Sequence, residues 1–157
     1  MLHTEFFFYK HRSLFDERKR WNLKSITVEA VIQNVETVTE FVNAVLEEND
    51  CPAKVQMRID VAIDEIFGNI AYYAYGNSCG NVTIQIEIEK DLPGIVLTFI
   101  DQGMPYNPLE NKEPDITLDI EEREIGGLGI FLVKKTMDAL SYEYVDGQNV
   151  LTLKKAF

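Results

Sequence analysis

Ile59-Asp-Val-Ala-Ile-Asp-Glu-Ile-Phe-Gly-Asn-Ile-Ala-Tyr-Tyr-Ala-Tyr75 is the stretch that decides the fold predicted from this sequence. Apolar residues recur at intervals of three and four, the period of one buried helix face, at Val55, Ile59, Ile63, Ile66, Ile70 and Tyr73. Glu65 and Asn69 fall together at the edge of this face, whereas Asp60 and Asp64 lie further round, towards solvent. Glu65 and Asn69 could therefore line a pocket, or they could belong to a solvated flank.

The composition is typical of one soluble domain. The 157 residues are 46% hydrophobic and 26% charged, which is ordinary for a globular protein with a sizeable core. The net charge of −11 argues against nucleic-acid binding, which needs a basic surface. Cys51 and Cys79 are isolated, which predicts reduced thiols in a cytoplasmic protein. His3 and His11 are the only histidines, so a histidine-based triad or zinc site in the main body is excluded.

Charge divides the chain into two parts. Residues 1–24 hold six Lys or Arg against three acids, whereas residues 25–157 hold nine against 23. We therefore expect a basic N-terminal extension over 1–24, which either docks on an acidic surface or is a solvated terminus. Residues 25–157 form one domain. No apolar run is long enough for a signal-peptide core or a membrane span, so no membrane association is expected.

The remaining periodicity predicts an α+β fold. Helices are expected over 35–46, 53–75 and 127–139, with Ile130, Val133 and Met137 on the core face of the last helix. Strands are expected over 25–30, 82–89, 95–100, 142–145 and 150–154, the last four as two hairpins. The helices would cover one face of a mainly antiparallel sheet, in a two-layer α/β sandwich. The segment 101–126 has little periodicity, and loops of this length are usually functional lids or disordered.

Two further groups of residues could carry chemistry. Asp101-Gln-Gly103 follows a buried strand, where a carboxylate can accept from an exocyclic amine and glycine lets a flat ring approach the backbone. The same pattern is more often a simple turn. Gly126-Gly-Leu-Gly129 opens a helix, where backbone N–H groups favour a phosphate, although a flexible hinge fits equally well. It is neither a Walker A loop nor a Rossmann turn.

The order of these groups resembles that in the GHKL ATPases, a superfamily that includes gyrase, ninety-kilodalton heat-shock chaperones and histidine-kinase catalytic domains. The motifs Asp64-Glu-Ile-Phe-Gly-Asn69, Asp101-Gln-Gly-Met-Pro-Tyr-Asn-Pro108 and Glu122-Arg-Glu-Ile-Gly-Gly-Leu-Gly-Ile-Phe-Leu-Val133 are similar to those of the anti-sigma-factor serine/threonine kinases. The resemblance covers roughly residues 25–155. It implies a histidine-kinase-like ATPase domain with the Bergerat ATP-binding fold, and ATP and Mg²⁺ as cofactors.

The resemblance also implies roles for residues of the first two motifs. Asn69 would ligate Mg²⁺ through its carbonyl oxygen, as a hard cation requires. Glu65, one helical turn earlier, would be the catalytic residue that orients and deprotonates the attacking hydroxyl. Asp101 would bind the adenine amine, and Gly103 would make room for the ring.

The third motif would hold the phosphates. The resemblance implies that residues 104–125 form a lid that closes over them, with Gly127 and Gly129 supplying N–H donors. Arg123 would compensate the terminal phosphate charge or contact the partner.

The sequence departs from the family pattern at two positions. Tyr73 stands where the family often has histidine, so any role of that imidazole is absent. Asn149 replaces the threonine that typically helps to hold the adenine. Because asparagine can still donate and accept hydrogen bonds, we expect Asn149 to remain a nucleotide-binding residue.

The activity implied by the resemblance is that of an ATP-dependent anti-sigma factor and protein kinase. It would phosphorylate a serine or threonine of a STAS-type anti-anti-sigma protein and sequester a sigma factor, as a homodimer. The alternative is a nucleotide-gated regulatory module that binds its partners without phosphorylating them. The catalytic piece of a histidine kinase is a poor fit, because we expect no dimerisation helix with a phospho-acceptor histidine in this sequence.

Overall fold

Five antiparallel strands form one sheet in the computed structural model, which describes residues 23–89, 91–111 and 128–157. The strands are β1 (Lys24–Glu29), β2 (Asn81–Glu89), β3 (Gly94–Asp101), β4 (Ala139–Val145) and β5 (Gln148–Ala156). Their spatial order is β1-β2-β3-β5-β4, which places β3 in the centre. The prediction of a mainly antiparallel sheet is confirmed, and β1 begins one residue earlier than expected.

The alternation of side chains along β3 explains how a carboxylate reaches the covered face of the sheet. Ile95, Leu97 and Phe99 are at most 2% exposed and face the helices. Because side chains on one face of a strand recur every second residue, Asp101 continues this series at the end of β3. The last inward-facing position of the central strand is therefore occupied by a carboxylate side chain, and Asp101 is only 5% exposed.

Three helices cover the inward face of the sheet, as predicted. They are α1 (Val35–Glu48), α2 (Ala53–Asn69) and α3 (Leu128–Thr136), with short 3₁₀ turns at Ile32–Asn34 and Pro108–Glu110. The core side of α2 is buried as its periodicity indicates, at Ile59, Ile63 and Ile66. Each such side chain contributes roughly 1.5–3 kcal/mol when fully buried. The residues predicted for the core face of the last helix, Ile130, Val133 and Met137, are also buried. The helix is shorter than predicted, because it ends at Thr136, Met137 follows it, and β4 begins at Ala139.

The end of the long helix differs from the prediction. The α-helix stops at Asn69, and residues Ile70–Ala74 continue as a π-helical turn. The wider turn moves the following side chains around the helix axis, a feature frequent at functional sites. Tyr73, which was expected on the core face, is 66% exposed. The spacing of apolar residues continues unchanged through this part of the sequence, so it does not predict the change in helical pitch.

One polar residue of α2 also differs from its expected position. Asp60, expected towards solvent, is half-buried beside Asn43 of α1, and the Oδ1 atoms of both residues are buried without a hydrogen-bond partner. Burial raises the pKa of Asp60, the neighbouring Asn43 carboxamide lowers it less, and Asp64 raises it further. Asp64 itself is exposed, as expected.

Within the described ranges, no helix combines the length and the apolar character that crossing a membrane requires.

Candidate functional site

A cavity of about 260 Å³ lies between the C-terminal part of α2, the ends of β3 and β5, β4 and the start of α3. Its wall is mostly apolar and includes Ile66 and Ile70, Ile130 of α3 and Leu151 of β5. The volume is close to the lower end of the roughly 300–1,000 Å³ typical of small-molecule sites. An apolar cavity of this size suits a flat ring.

Three polar residues that the sequence analysis singled out meet in the lining of this cavity. Asn69 comes from the end of α2, Asp101 from the end of β3 and Asn149 from the start of β5. Asp101 and Asn149 are directly opposite each other in the register of β3 and β5. The antiparallel pairing of two strands that are far apart in sequence thus brings a carboxylate and a carboxamide together.

The Asp101 carboxylate is buried, and one of its two oxygens is occupied. Its Oδ1 accepts hydrogen bonds from the backbone N–H of Gly103, at 2.8 Å, and from Nδ2 of Asn149, at 2.9 Å. Its Oδ2 has no hydrogen-bond partner among the described residues. A buried anion with a free acceptor at the cavity wall is a site for a donor group of a ligand.

Gly103 is needed for a close backbone approach. A Cβ at this position would lie 2.4 Å from the carbonyl oxygen and 2.5 Å from Cβ of Ala74, which no side-chain movement relieves. The backbone N–H of Met104 donates to that same Ala74 oxygen at 2.8 Å. The glycine therefore allows the loop after β3 to contact the π-helical turn. This requirement for glycine was not apparent from the sequence.

Tyr75 fixes the same loop from its other side, a role that no motif in the sequence predicts. Its hydroxyl donates to the carbonyl of Asn81 at 2.5 Å and accepts from the backbone N–H of Gln102 at 2.8 Å. Burial raises the pKa of Tyr75, so the hydroxyl keeps its proton at neutral pH. Its ring occupies the space that a Cβ at Gly80 would take, 2.0 Å from Cε1.

Asn149 lies behind Asp101, and both ends of its carboxamide are used by the protein. Its Nδ2 donates to Oδ1 of Asp101 and to the carbonyl of Met104, at 3.1 Å. Its Oδ1 accepts from the hydroxyl of Tyr142, at 2.7 Å, and from the backbone N–H of Tyr106, at 3.1 Å. With a residue exposure of 6%, Asn149 is placed to hold the loop and Asp101. Tyr142 was missed by the sequence analysis.

Glu65 and Gly129 contact each other where α2 meets α3. Asn69 follows Glu65 by four residues, about 6 Å along the helix axis, and lines the cavity, whereas Glu65 is not part of the cavity lining. A Cβ at Gly129 would be 1.7 Å from Oε2 of Glu65. The carboxylate therefore lies against the first turn of α3, in a space that only glycine leaves open.

The remaining predicted site residues, Arg123 and Gly127, lie outside the described residues, as does most of the predicted lid. The described part before that segment is attached to α3. Nζ of Lys134 donates to the carbonyls of Leu109, at 2.8 Å, and Asn111, at 3.3 Å. Lys134 thus holds together the two described ends that flank residues 112–127.

The fold and this cavity define a class of protein. The chain belongs to the histidine kinase-like ATPase domain family, whose model matches residues 28–155. The family predicted from the three motifs is therefore confirmed, and ATP is the nucleotide that this family uses.

Particular relatives narrow the comparison. The chain is 28% identical over 102 residues to the serine/threonine-protein kinase BtrW of Bordetella bronchiseptica, covering 64% of this chain and 70% of BtrW. It is 29% identical over 96 residues to the serine-protein kinase RsbW of Bacillus cereus and 31% identical over 98 residues to that of Bacillus mycoides. Each RsbW match covers 60% of both chains, so the similarity spans somewhat less than two thirds of these relatives.

A solved structure supports the fold. The crystal structure of the RsbU and RsbW domains of a Mycobacterium tuberculosis protein matches 85% of this chain and 32% of that chain, with a TM-score of 0.60. Because the sequence identity is 18%, this likeness concerns the fold alone.

Proposed function

We propose that this chain binds Mg·ATP in the cavity and transfers the terminal phosphoryl group to a serine or threonine of a partner protein. The observation that carries the proposal is the buried Asp101 carboxylate, with its free Oδ2, in an apolar cavity that also contains Asn69. The adenine amine donates to Oδ2 of Asp101, and the apolar walls hold the ring. Asn69, which also lines the cavity, would hold the metal ion that the phosphates bring with them.

The donor set fits a magnesium ion that is held mainly by the nucleotide. The side chain of Asn69 makes no hydrogen bond to the described residues, so its carbonyl oxygen is available. No cluster of three acidic, His or Cys side chains occurs in the described ranges. Mg²⁺ commonly uses one or two protein ligands together with phosphates and water. When bound, the ion neutralises charge on the transferred phosphoryl group.

Glu65 is the proposed catalytic base. It orients the partner hydroxyl and accepts its proton while the serine oxygen forms a bond to the γ-phosphorus. The bond from that phosphorus to the β–γ bridging oxygen breaks, and ADP leaves. We propose that Arg123 and the backbone N–H groups of Gly127 and Gly129 stabilise the phosphate charge.

The partners follow by analogy with BtrW and RsbW, which are named as serine kinases. We propose a STAS-type anti-anti-sigma protein as the phosphoryl acceptor and a sigma factor as the sequestered partner, within a cytoplasmic homodimer. The net charge of −11 supports binding to a basic partner surface. Residues 25–157 form the proposed ATP-binding domain, and residues 1–24 form a basic extension.

Two variants separate the base from the metal ligand. Glu65→Gln keeps the shape of the side chain, so it should bind Mg·ATP normally and transfer phosphate about 10²–10⁴-fold more slowly. Asn69→Ala should weaken Mg²⁺-dependent binding and transfer together. Transfer is measured from labelled ATP to a co-encoded STAS protein, beside capture of the sigma factor.

The alternative function, a nucleotide-gated binding module, makes a different prediction in the same assay. A wild-type chain that captures the sigma factor with ATP, yet transfers no phosphate to any co-encoded STAS protein, would rule out the kinase. Loss of nucleotide binding by Glu65→Gln would instead contradict the role assigned to Glu65, because the variant leaves the base cavity unchanged.

A further inference from the structure

The orientation of the Asn149 carboxamide is fixed by groups on both sides. Its Nδ2 faces three acceptors, Oδ1 of Asp101 and the carbonyls of Gly103 and Met104. Its Oδ1 faces two donors, the hydroxyl of Tyr142 and the backbone N–H of Tyr106. A flipped carboxamide would place oxygen against oxygen on one side and N–H against N–H on the other. Asn149 therefore donates to Asp101 and cannot exchange its roles.

Among the described residues, the Tyr142 hydroxyl is the one side-chain group that donates to Asn149. It lies 2.7 Å from Oδ1 of Asn149 and belongs to the cavity lining. Burial is the largest effect on the pKa of Tyr142 and raises it, so the hydroxyl remains protonated at neutral pH. Removal of this hydroxyl leaves the backbone N–H of Tyr106 as the single donor to that oxygen within the part of the chain that the structure describes.

This arrangement fixes the orientation of the Asp101 carboxylate. Because Oδ1 holds two hydrogen bonds, the carboxylate cannot rotate without breaking both, and Oδ2 remains the acceptor available to a ligand. A purine with an amino group at its 6-position donates to this oxygen. A purine with a 6-oxo group places a second acceptor against the buried anion, and the fixed carboxylate cannot turn away.

We propose that Tyr142 and Asn149 are positioning residues that set the base selectivity of this cavity for a 6-amino over a 6-oxo purine. They act through Asp101 by keeping one of its oxygens saturated and the other free. This inference rests on the proposed nucleotide-binding function. In this proposal Asn149 does not contact the adenine directly. It acts on the adenine through Asp101.

The test compares ATP with inosine triphosphate, which differs at the 6-position of the purine. Dissociation constants for both, with Mg²⁺ present, are measured by calorimetry for the wild type and Tyr142→Phe. Removing one hydrogen bond from the network should lower the ratio of the two affinities about three- to tenfold. Tyr144→Phe is the matched control, because Tyr144 lies two residues along the same strand, is 48% exposed and is absent from the cavity lining. This control should keep the wild-type ratio.

Each outcome has a separate meaning. An unchanged affinity ratio in Tyr142→Phe, or equal weakening of both nucleotides, would overturn the proposed selectivity role while leaving nucleotide binding intact. A wild-type chain that binds neither nucleotide would overturn the proposed function itself. Asn149→Ser, with folding checked by thermal melting, is the second variant. It removes the donor to Asp101 outright and should reduce the ratio by at least as much as Tyr142→Phe.

Discussion

The contact between Gly129 and Glu65 allows the position of the proposed catalytic base, Glu65, to be tested without altering that side chain. In Gly129→Ala the new Cβ would lie 1.7 Å from Oε2, 2.2 Å from Cδ and 2.9 Å from Cγ of Glu65. Carbon atoms in contact are about 3.5–4 Å apart. The carboxylate must therefore withdraw by about 2 Å, which the flexible side chain achieves by changing its rotamer.

The energetic cost to the fold is small. A strained rotamer costs about 0.5–1.5 kcal/mol, and alanine stabilises a helix relative to glycine by about 0.8–1 kcal/mol. These terms nearly cancel, so the variant should melt near the wild-type temperature. Alanine also retains the backbone N–H, so ATP affinity should change by less than about threefold, or 0.65 kcal/mol.

The chemical step is where the effect should appear. A displacement of about 1 Å at a reacting group can cost about 10²-fold in rate. We therefore expect single-turnover transfer to the STAS protein to fall by about 10²-fold in Gly129→Ala. Gly68→Ala is the matched control, since a Cβ at this α2 glycine meets nothing within 4 Å. Its transfer rate should be unchanged.

A double variant completes the test. If Gly129→Ala acts through the Glu65 carboxylate, then combining it with Glu65→Gln should slow transfer no further than Glu65→Gln alone. Transfer at the wild-type rate in the folded Gly129→Ala protein would refute the reasoning. So would fully additive losses in the double variant, because they would show that the two residues act independently.

Three further predictions concern single carboxylates. Asp101→Asn should weaken ATP binding more than tenfold, since a lost charge-assisted hydrogen bond costs roughly 1.5–3 kcal/mol; wild-type affinity in calorimetry would remove Asp101 from the site. Asp60→Asn should raise the free energy of unfolding at pH 7 by up to about 1 kcal/mol, because an asparagine carries no charge and can donate to Asn43. Since the pKa of Asp60 is raised by folding, its ionisation destabilises the fold as pH rises, and this advantage of the variant should vanish near pH 4 in denaturant titrations. Asp138→Asn should lower stability at pH 7 by about 1 kcal/mol, because Asp138 pairs with buried Lys155 at 2.7 Å. Hydrogen bonds from the Ala156 N–H and from Lys155 lower the pKa of Asp138, so its contribution is complete above about pH 4 and should decline in melts as the pH is lowered below that value.

The elements with strong periodicity were predictable, whereas the change in helix pitch was not. Strict alternation located β2, and intervals of three and four located α2, because both patterns follow from burying one face. The π-helical turn at Ile70–Ala74 contacts Gly103 and Met104 through Ala74, and these two residues lie far along the chain. A local pattern has no access to such a contact.

The site shows the same division. The residue types of Glu65, Asn69 and Asp101 marked them as candidates, since a carboxylate or carboxamide next to an apolar run can bind a ligand at the edge of the core. Tyr142 carried no such signal, because the β4–β5 register pairs it with Leu151, and its hydroxyl reaches Asn149 diagonally across the two strands. The register between strands that are distant in sequence does not follow from a local pattern. The residues that hold the buried Asp101 carboxylate therefore become apparent only in the structure.

The central position of β3 links ligand binding at Asp101 to the stability of the whole sheet. β3 is hydrogen-bonded to β2 on one side and to β5 on the other, so the amides of its central residues are released only when the sheet comes apart. Such amides exchange with solvent at a rate set by global unfolding, in contrast to frayed ends and loops. A ligand at Asp101 therefore stabilises the entire domain, by about 2.7 kcal/mol at a hundredfold excess over its dissociation constant. A shift in melting temperature is consequently a direct measure of nucleotide occupancy for this chain, and hydrogen exchange in β3 should slow in the same proportion.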